Sequence, residues 1–240
     1  MKEIEVRNIP ELPYYVTEAL NQLRISLGFA GENVKSIMIT SSIPGEGKSF
    51  VTMQLWKMIA EVGNNVVLID GDLRNSAMRE DFGLKMEGEL NGIVHALAGK
   101  CRFDDAMYST NIQNAYLMPV EIHVGNPVNL LEGRRFRELL DICRKEFDYV
   151  LVDSPPLGVV ADALNIGPKT DGCLLVVRSA FTPRKQVENS INLLQRSGVP
   201  IIGTVLNRAD TSKKGAYYYN KYYHYGDYKY GDSKYGDSKA

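Results

Sequence analysis

This 240-residue chain has little excess charge of either sign and no long apolar run. Its 28 basic and 29 acidic residues leave a formal net charge of −1, and the basic ones are scattered rather than striped, so nothing favours a nucleic-acid surface. No apolar stretch approaches the roughly 20 residues of a membrane span, and the first ten residues are charged rather than apolar, so neither a span nor a leader is expected. Cysteine is scarce: Cys101, Cys143 and Cys173 lie far apart without C-x-x-C spacing, which argues against a disulfide framework and fits a reduced, cytoplasmic setting. His95, His123 and His224 are equally scattered and read as structural or solvated rather than as metal ligands.

What is present is a core. With 44% hydrophobic residues, the chain can build one well-buried α/β domain plus appendages, not two full domains. Short apolar runs at Ser36 to Thr40, Asn65 to Ile69, Ala115 to Val120, Tyr149 to Val152, Cys173 to Val177 and Ile201 to Leu206 read as strands, and the longer amphipathic stretches between them as crossover helices. Continuous apolar strands are buried on both faces, and β–α–β alternation makes the sheet mostly parallel. The expected fold is therefore a mostly parallel sheet flanked by helices on both faces. Ligands then collect at the carboxyl ends of the strands.

Ser42-Ile43-Pro44-Gly45-Glu46-Gly47-Lys48-Ser49 closes the first of these runs and opens a helical pattern. Unpaired N–H groups and the helix dipole at such a junction attract phosphate oxygens. In the motif G-x-x-x-x-G-K-[ST], the lysine bridges the outer phosphates and the hydroxyl ligands Mg²⁺. The backbone from Gly45 through Glu46, Gly47, Lys48, Ser49 and Phe50 is the expected nucleotide cradle, with Ser42 in the first glycine position. Trp56 and Met58, in the helix that follows, read as packing residues.

After the second run comes Asp70-Gly71-Asp72-Leu73-Arg74, and after the fourth Asp153-Ser154-Pro155-Pro156. Asp153 is the best candidate for the Mg²⁺ shell. Of Asp70 and Asp72, one is left over to orient or deprotonate a nucleophile, a tyrosine hydroxyl of ordinary pKa about 10 being a poor one unaided. The alternative makes these aspartates helix caps. Asn207, closing the last run, either hydrogen-bonds an adenine edge or is an ordinary strand-end turn residue. On the helix expected from Val16 to Leu27, Glu18, Asn21 and Arg24 recur at intervals of three and form either a contact surface or a solvated face.

From Ala216 the composition collapses to tyrosine, glycine, aspartate, lysine and serine with little else. Tyr217, Tyr218, Tyr219, Tyr222, Tyr223, Tyr225, Tyr228, Tyr230 and Tyr235 crowd there, ending in a five-residue repeat. Without aliphatics such a segment reads as a disordered tail. Three parts follow: an N-terminal helical segment over 1–34, a P-loop domain over 35–210 and a tyrosine-rich tail over 211–240.

Taken together, the Pro44 to Ser49 loop, Ile69-Asp70-Gly71-Asp72-Leu73-Arg74, Val152-Asp153-Ser154-Pro155-Pro156, Asn126-Pro127 ahead of a helix and the tyrosine-rich end resemble the bacterial tyrosine kinases of capsule and exopolysaccharide synthesis, in the variant whose cytoplasmic kinase is separate from its membrane activator. The resemblance implies that ATP and Mg²⁺ are the cofactors and that Lys48 contacts the phosphates. It makes Ser49 and Asp153 serve the metal with help from Asp70, Asp72 the base for the incoming tyrosine, and the tail tyrosines the phosphoacceptors. It further implies a homo-oligomer, a transmembrane activator that recruits the chain to the inner face of the membrane, a cognate tyrosine phosphatase and other protein substrates. Family members carry Glu-x-x-Arg-x-x-Arg on the N-terminal helix for subunit contacts; here it reads Glu18-x-x-Asn21-x-x-Arg24, which removes one charge-assisted contact. The rival is a partition- or division-site ATPase acting as a switch without kinase activity. Such ATPases carry a lysine five residues before the loop lysine, where this chain has Ile43.

Overall fold

Alternating burial along the central strands divides their side chains between two cores. Met38, Val67, Ile69, Val150, Val152, Cys173 and Leu175 face one side of the sheet, while Ile37, Ile39, Val66, Leu68, Leu151, Leu174 and Val176 face the other. Both sides are covered, as continuous apolar runs require. The computed structural model describes residues 2–31, 33–86, 88 and 90–210. The tail tyrosines at 217–235 lie outside the described residues.

The strands are β1 (Lys2–Ile4), β2 (Ser36–Ser41), β3 (Val66–Asp70), β4 (Tyr108–Thr110), β5 (Ala115–Met118), β6 (Tyr149–Asp153), β7 (Gly172–Arg178) and β8 (Ile201–Asn207). They form one sheet in the order β1-β4-β5-β3-β6-β2-β7-β8, parallel throughout except where β4 meets β5. The helices are α1 (Tyr14–Gly28), α2 (Lys48–Glu61), α3 (Met78–Asp81), α4 (Ile93–Leu97), α5 (Val128–Glu132), α6 (Arg134–Glu146), α7 (Asp162–Ile166) and α8 (Arg184–Arg196). Phe136, Leu139, Leu140 and Cys143 of α6 enter the first core. Val51, Leu55, Trp56 and Ile59 of α2 enter the second, with the Trp56 indole N–H bonded to the Tyr116 carbonyl at 3.0 Å. Burial pushes the Cys143 and Cys173 thiols up to about 12, so both behave as core hydrophobes.

Two strands escaped the sequence reading. β1 and β4 are three residues each, too short for periodicity to declare them, and β1 carries two charged residues. Lys2–Ile4, ahead of the helix expected in the N-terminal segment, pairs with Tyr108–Thr110 in the common sheet. By its internal contacts the chain divides into Met1–Asn207 and Arg208–Ala240.

Since α2 carries the chain from β2 across β6 to β3, the carboxyl ends of β2, β3 and β6 lie side by side. The register sets Asp70 opposite Asp153, and the Gly71 N–H extends the ladder to the Asp153 carbonyl at 2.7 Å. A side chain on Gly71 would sit 2.7 Å from that carbonyl oxygen, so glycine is what lets the two acidic strand ends close up.

Candidate active site

The loop between β2 and α2 turns through two left-handed residues, Gly45 at φ 81° and Gly47 at φ 86°. A Cβ on Gly47 would stand 2.3 Å from the Asn207 amide nitrogen. That amide donates to the Glu46 carbonyl at 2.8 Å. The Glu46 carboxylate is buried and turned inward, accepting from the Ile43 N–H at 2.7 Å, the Arg178 N–H at 3.2 Å and the Thr182 hydroxyl. The Arg178 guanidinium also reaches the Gly45 carbonyl at 3.3 Å and lies over the Phe181 ring. The loop is thus shaped by the ends of β7 and β8. Glu46 and Phe50, both expected at the nucleotide, have side chains engaged elsewhere, Phe50 packing against the second core, so each can offer a phosphate only its backbone N–H.

Lys48, first residue of α2, points its ammonium into an acidic group. Nζ stands 3.2 Å from Asp153 Oδ2 and 3.6 Å from Asp72 Oδ2. The Ser49 hydroxyl donates to Asp153 Oδ2 at 2.6 Å, and Thr52, which sequence reasoning did not single out, reaches Asp153 Oδ1 at 3.3 Å. Burial alone would lower the Lys48 pKa, but Asp153, Asp72 and Asp70 together outweigh it and hold the ammonium charged. Burial pushes the Asp70 carboxyl up to about 7, against the Ser76 hydroxyl that donates to it. Ser76 is a second residue the sequence did not flag.

The loop after β3 is held from several sides. The Asp72 carboxylate accepts the Asn75 N–H at 3.1 Å, and the Asp72 N–H points to Asp70 Oδ1 at 3.3 Å. Arg74 grips Asp162 through two nitrogens, at 2.5 and 3.0 Å, and also donates to the Gly125 carbonyl. His123 Nε2 lies 3.0 Å from the Ser76 carbonyl, and the Val124 N–H meets the Leu73 carbonyl at 2.8 Å.

This donor set fits a nucleotide with its metal. Lys48 faces Asp70, Asp72 and Asp153, so the acidic groups outnumber the one cation and a divalent ion accompanying a triphosphate would offset them. Among the described residues no three His, Cys, Asp or Glu side chains form a ready metal cage. The α1 residues belong to a different surface: Asn21 bonds Glu18 at 3.4 Å, and buried Arg24 Nε has no hydrogen-bond partner among the described residues.

Residues 34–189 match the family model described as an AAA domain. Tyrosine-protein kinase CpsD of Streptococcus pneumoniae is 33% identical over 202 residues, covering 83% of this chain and 88% of CpsD. The chain belongs to the bacterial tyrosine kinase family. The kinase domain of the Escherichia coli tyrosine kinase ETK matches this kinase at a TM-score of 0.74 and 32% identity, covering 81% of this chain and 78% of that one. The septum site-determining protein MinD from Pyrococcus horikoshii, solved with Mg-ADP, follows at 0.63 and 25%, covering 75% of this chain and 72% of its own. The shared scaffold is that of P-loop nucleotide-binding proteins, and within it this chain is a protein-tyrosine kinase. No described helix is long and apolar enough to cross a membrane.

Proposed function

We propose that the kinase binds ATP with Mg²⁺ at the ends of β2, β3 and β6 and transfers the γ-phosphoryl group to tyrosines of its own C-terminal segment, chiefly those of a neighbouring copy in a homo-oligomer. The observation that carries this reading is the placement of Asp72. Its carboxylate lies 3.6 Å from the phosphate-binding lysine, on a loop held by Arg74, which suits a base at the γ-phosphoryl end of a bound nucleotide. The tyrosine oxygen forms the new bond to the γ-phosphorus as the bond to the bridging oxygen breaks and ADP leaves. Asp72 takes the hydroxyl proton, and Lys48 with the loop N–H groups neutralises charge on the phosphoryl oxygens. Ser49 and Asp153, with help from Asp70, would hold the Mg²⁺, which when bound would neutralise phosphate charge.

Nine tail tyrosines, each gaining about −1.5 to −2 charges, make a heavily modified tail repel its neighbours. The kinase then cycles between an assembled, weakly modified form and a dispersed, heavily modified one, reset by a tyrosine phosphatase. Glu18 and Arg24 of α1 serve the subunit contact. A separate transmembrane protein brings the chain to the inner face of the membrane and activates it, and the output is control of capsular or extracellular polysaccharide synthesis and export, with other protein substrates possible within the same chemistry.

Incubation with ATP and Mg²⁺, with and without the membrane partner, followed by phosphotyrosine mapping tests the reading. Labelled tail peptides in the parent and none in Lys48→Met are expected. ATP turnover with no phosphotyrosine in either setting would favour the switch ATPase that the fold shared with MinD also accommodates.

A further inference from the structure

Outside the tail, the tyrosines divide sharply by environment. Tyr108 is buried, its hydroxyl bonded to the Asn91 carbonyl at 2.8 Å. Tyr116 packs edge-on against Phe147, and Tyr149 opens β6, half-buried. Tyr14 and Tyr15 are 80% and 50% exposed, side by side in the first turn of α1. Of the described tyrosines, only these two hold their rings where another molecule can reach them.

The pair sits at the terminal turn of its helix. Pro13 at the N-cap offers no side-chain hydrogen bond, and the first turn is closed by the Val16 and Thr17 N–H groups sharing the Pro13 carbonyl at 2.9 and 3.1 Å. A helix end without a side-chain cap frays at the lowest cost in its element, which lets an acceptor side chain extend into another molecule's cleft. The same turn carries no acidic residue, so the positive end of the helix dipole is unopposed and tolerates an added phosphate.

We propose that Tyr14 and Tyr15 form a second phosphoacceptor site, modified in trans by another copy of this kinase. The inference rests on the reading that the chain phosphorylates tyrosine. Its effect follows from helical spacing: Tyr14 is four residues and Tyr15 three residues before Glu18, so a phosphate on either shares a face with that carboxylate. Within the helix, repulsion from Glu18 and attraction to the dipole are of similar size and largely cancel. What remains is a surface around Glu18 whose charge goes from −1 to about −2.5 to −3 with one modified tyrosine, which weakens any contact a partner makes there through an acidic or apolar patch. Modification of the helix thus adds to the dispersal driven by the tail.

The test uses the full chain with ATP and Mg²⁺, mixing active enzyme with an excess of Lys48→Met and mapping both. Cleavage after Arg7 and Arg24 releases one peptide holding Tyr14 and Tyr15. The expected result is phosphate on that peptide in the Lys48→Met chain, which can arise only in trans. Saturated tail labelling with a bare Asn8-to-Arg24 peptide would overturn this inference and leave tail phosphorylation standing; labelling in neither would end both. The Tyr14→Phe/Tyr15→Phe double variant, which touches no part of the nucleotide site, is expected to keep its affinity for ATP and to retain a larger assembled fraction by sedimentation after ATP treatment. An assembled fraction equal to the parent's would remove the regulatory part.

Discussion

Arg74 and Asp162 meet fork to fork, Nε to Oδ2 at 2.5 Å and Nη2 to Oδ1 at 3.0 Å, tying the loop that bears Asp72 to the first residue of α7. The Asp162 side chain is 2% exposed and that of Arg74 29%, so the carboxylate has little water to fall back on. A paired, bidentate geometry offsets that burial.

Arg74→Ala is therefore expected to destabilise the chain, since it leaves the buried Asp162 carboxylate without its partner. Urea unfolding measures it. Arg74→Ala/Asp162→Ala should recover part of the stability but not the phosphorylation rate, since the Asp72 loop stays loose. Equal recovery of both would show that the pair serves the fold alone.

Lys48→Met should abolish the stabilisation that Mg²⁺ and ATP give the parent. At nucleotide a hundredfold above its Kd, that stabilisation is about 2.7 kcal/mol, or roughly 5–10 °C in Tm for a chain of this size. Thermal melts with and without nucleotide decide it. A variant still shifted by ATP would mean that Lys48 is not the phosphate contact.

Glu46→Gln keeps the shape of the buried side chain but turns an NH₂ toward at least one of the donors, Ile43 N–H, Arg178 N–H or Thr182 Oγ. Distorting the loop by one such conflict, about 1–1.5 kcal/mol, should raise the Kd for ATP about tenfold with little change in the maximal rate. Gly47→Ala, which brings a Cβ to 2.3 Å from Asn207 at a positive φ, should be worse. Equilibrium nucleotide titrations separate the two.

Asp171 sets an acid limit. Burial raises its pKa, but the Ser36 N–H at 2.7 Å and hydroxyl at 2.8 Å, the Arg144 guanidinium and the Lys35 N–H outweigh it, leaving the carboxyl below its ordinary 3.8. A depressed folded-state pKa contributes stability that is fully present above the unfolded value and is lost as pH falls through the folded one. The stability gap between the parent and Asp171→Asn should thus be constant from pH 7 to 5 and close below pH 4. A gap unchanged at pH 3 would contradict it.

How much of this was legible beforehand differs between backbone and side chains. The six longer strands stood out as short apolar runs, the central ones because burial on both faces leaves little room for polar interruptions, β8 by its apolar composition although it is only partly buried. β1 and β4 did not, because a three-residue edge strand has no period to read and takes its conformation from its neighbour. In the site, Lys48 and the three aspartates were legible from where the runs end. Thr52, Ser76 and Asp162 were not, being ordinary residues whose importance comes from partners 101, 6 and 88 residues away. A polar residue just after the Pro155-Pro156 turn was a usable hint only for Asp162.

Local order alone settled that a strand hands over to a helix at a glycine-rich turn, that the sheet is parallel at its centre, and that the last thirty or so residues lack the aliphatics of a core, because these depend on spacing and composition within a few residues. Only the folded chain decided that Glu46 turns inward to brace its own loop, that Asn207 supports the loop carbonyl, and that Arg74 is committed to Asp162. Those choices depend on which groups the packing of β7, β8 and α7 brings within hydrogen-bond reach, and a buried polar group takes the partner that geometry supplies.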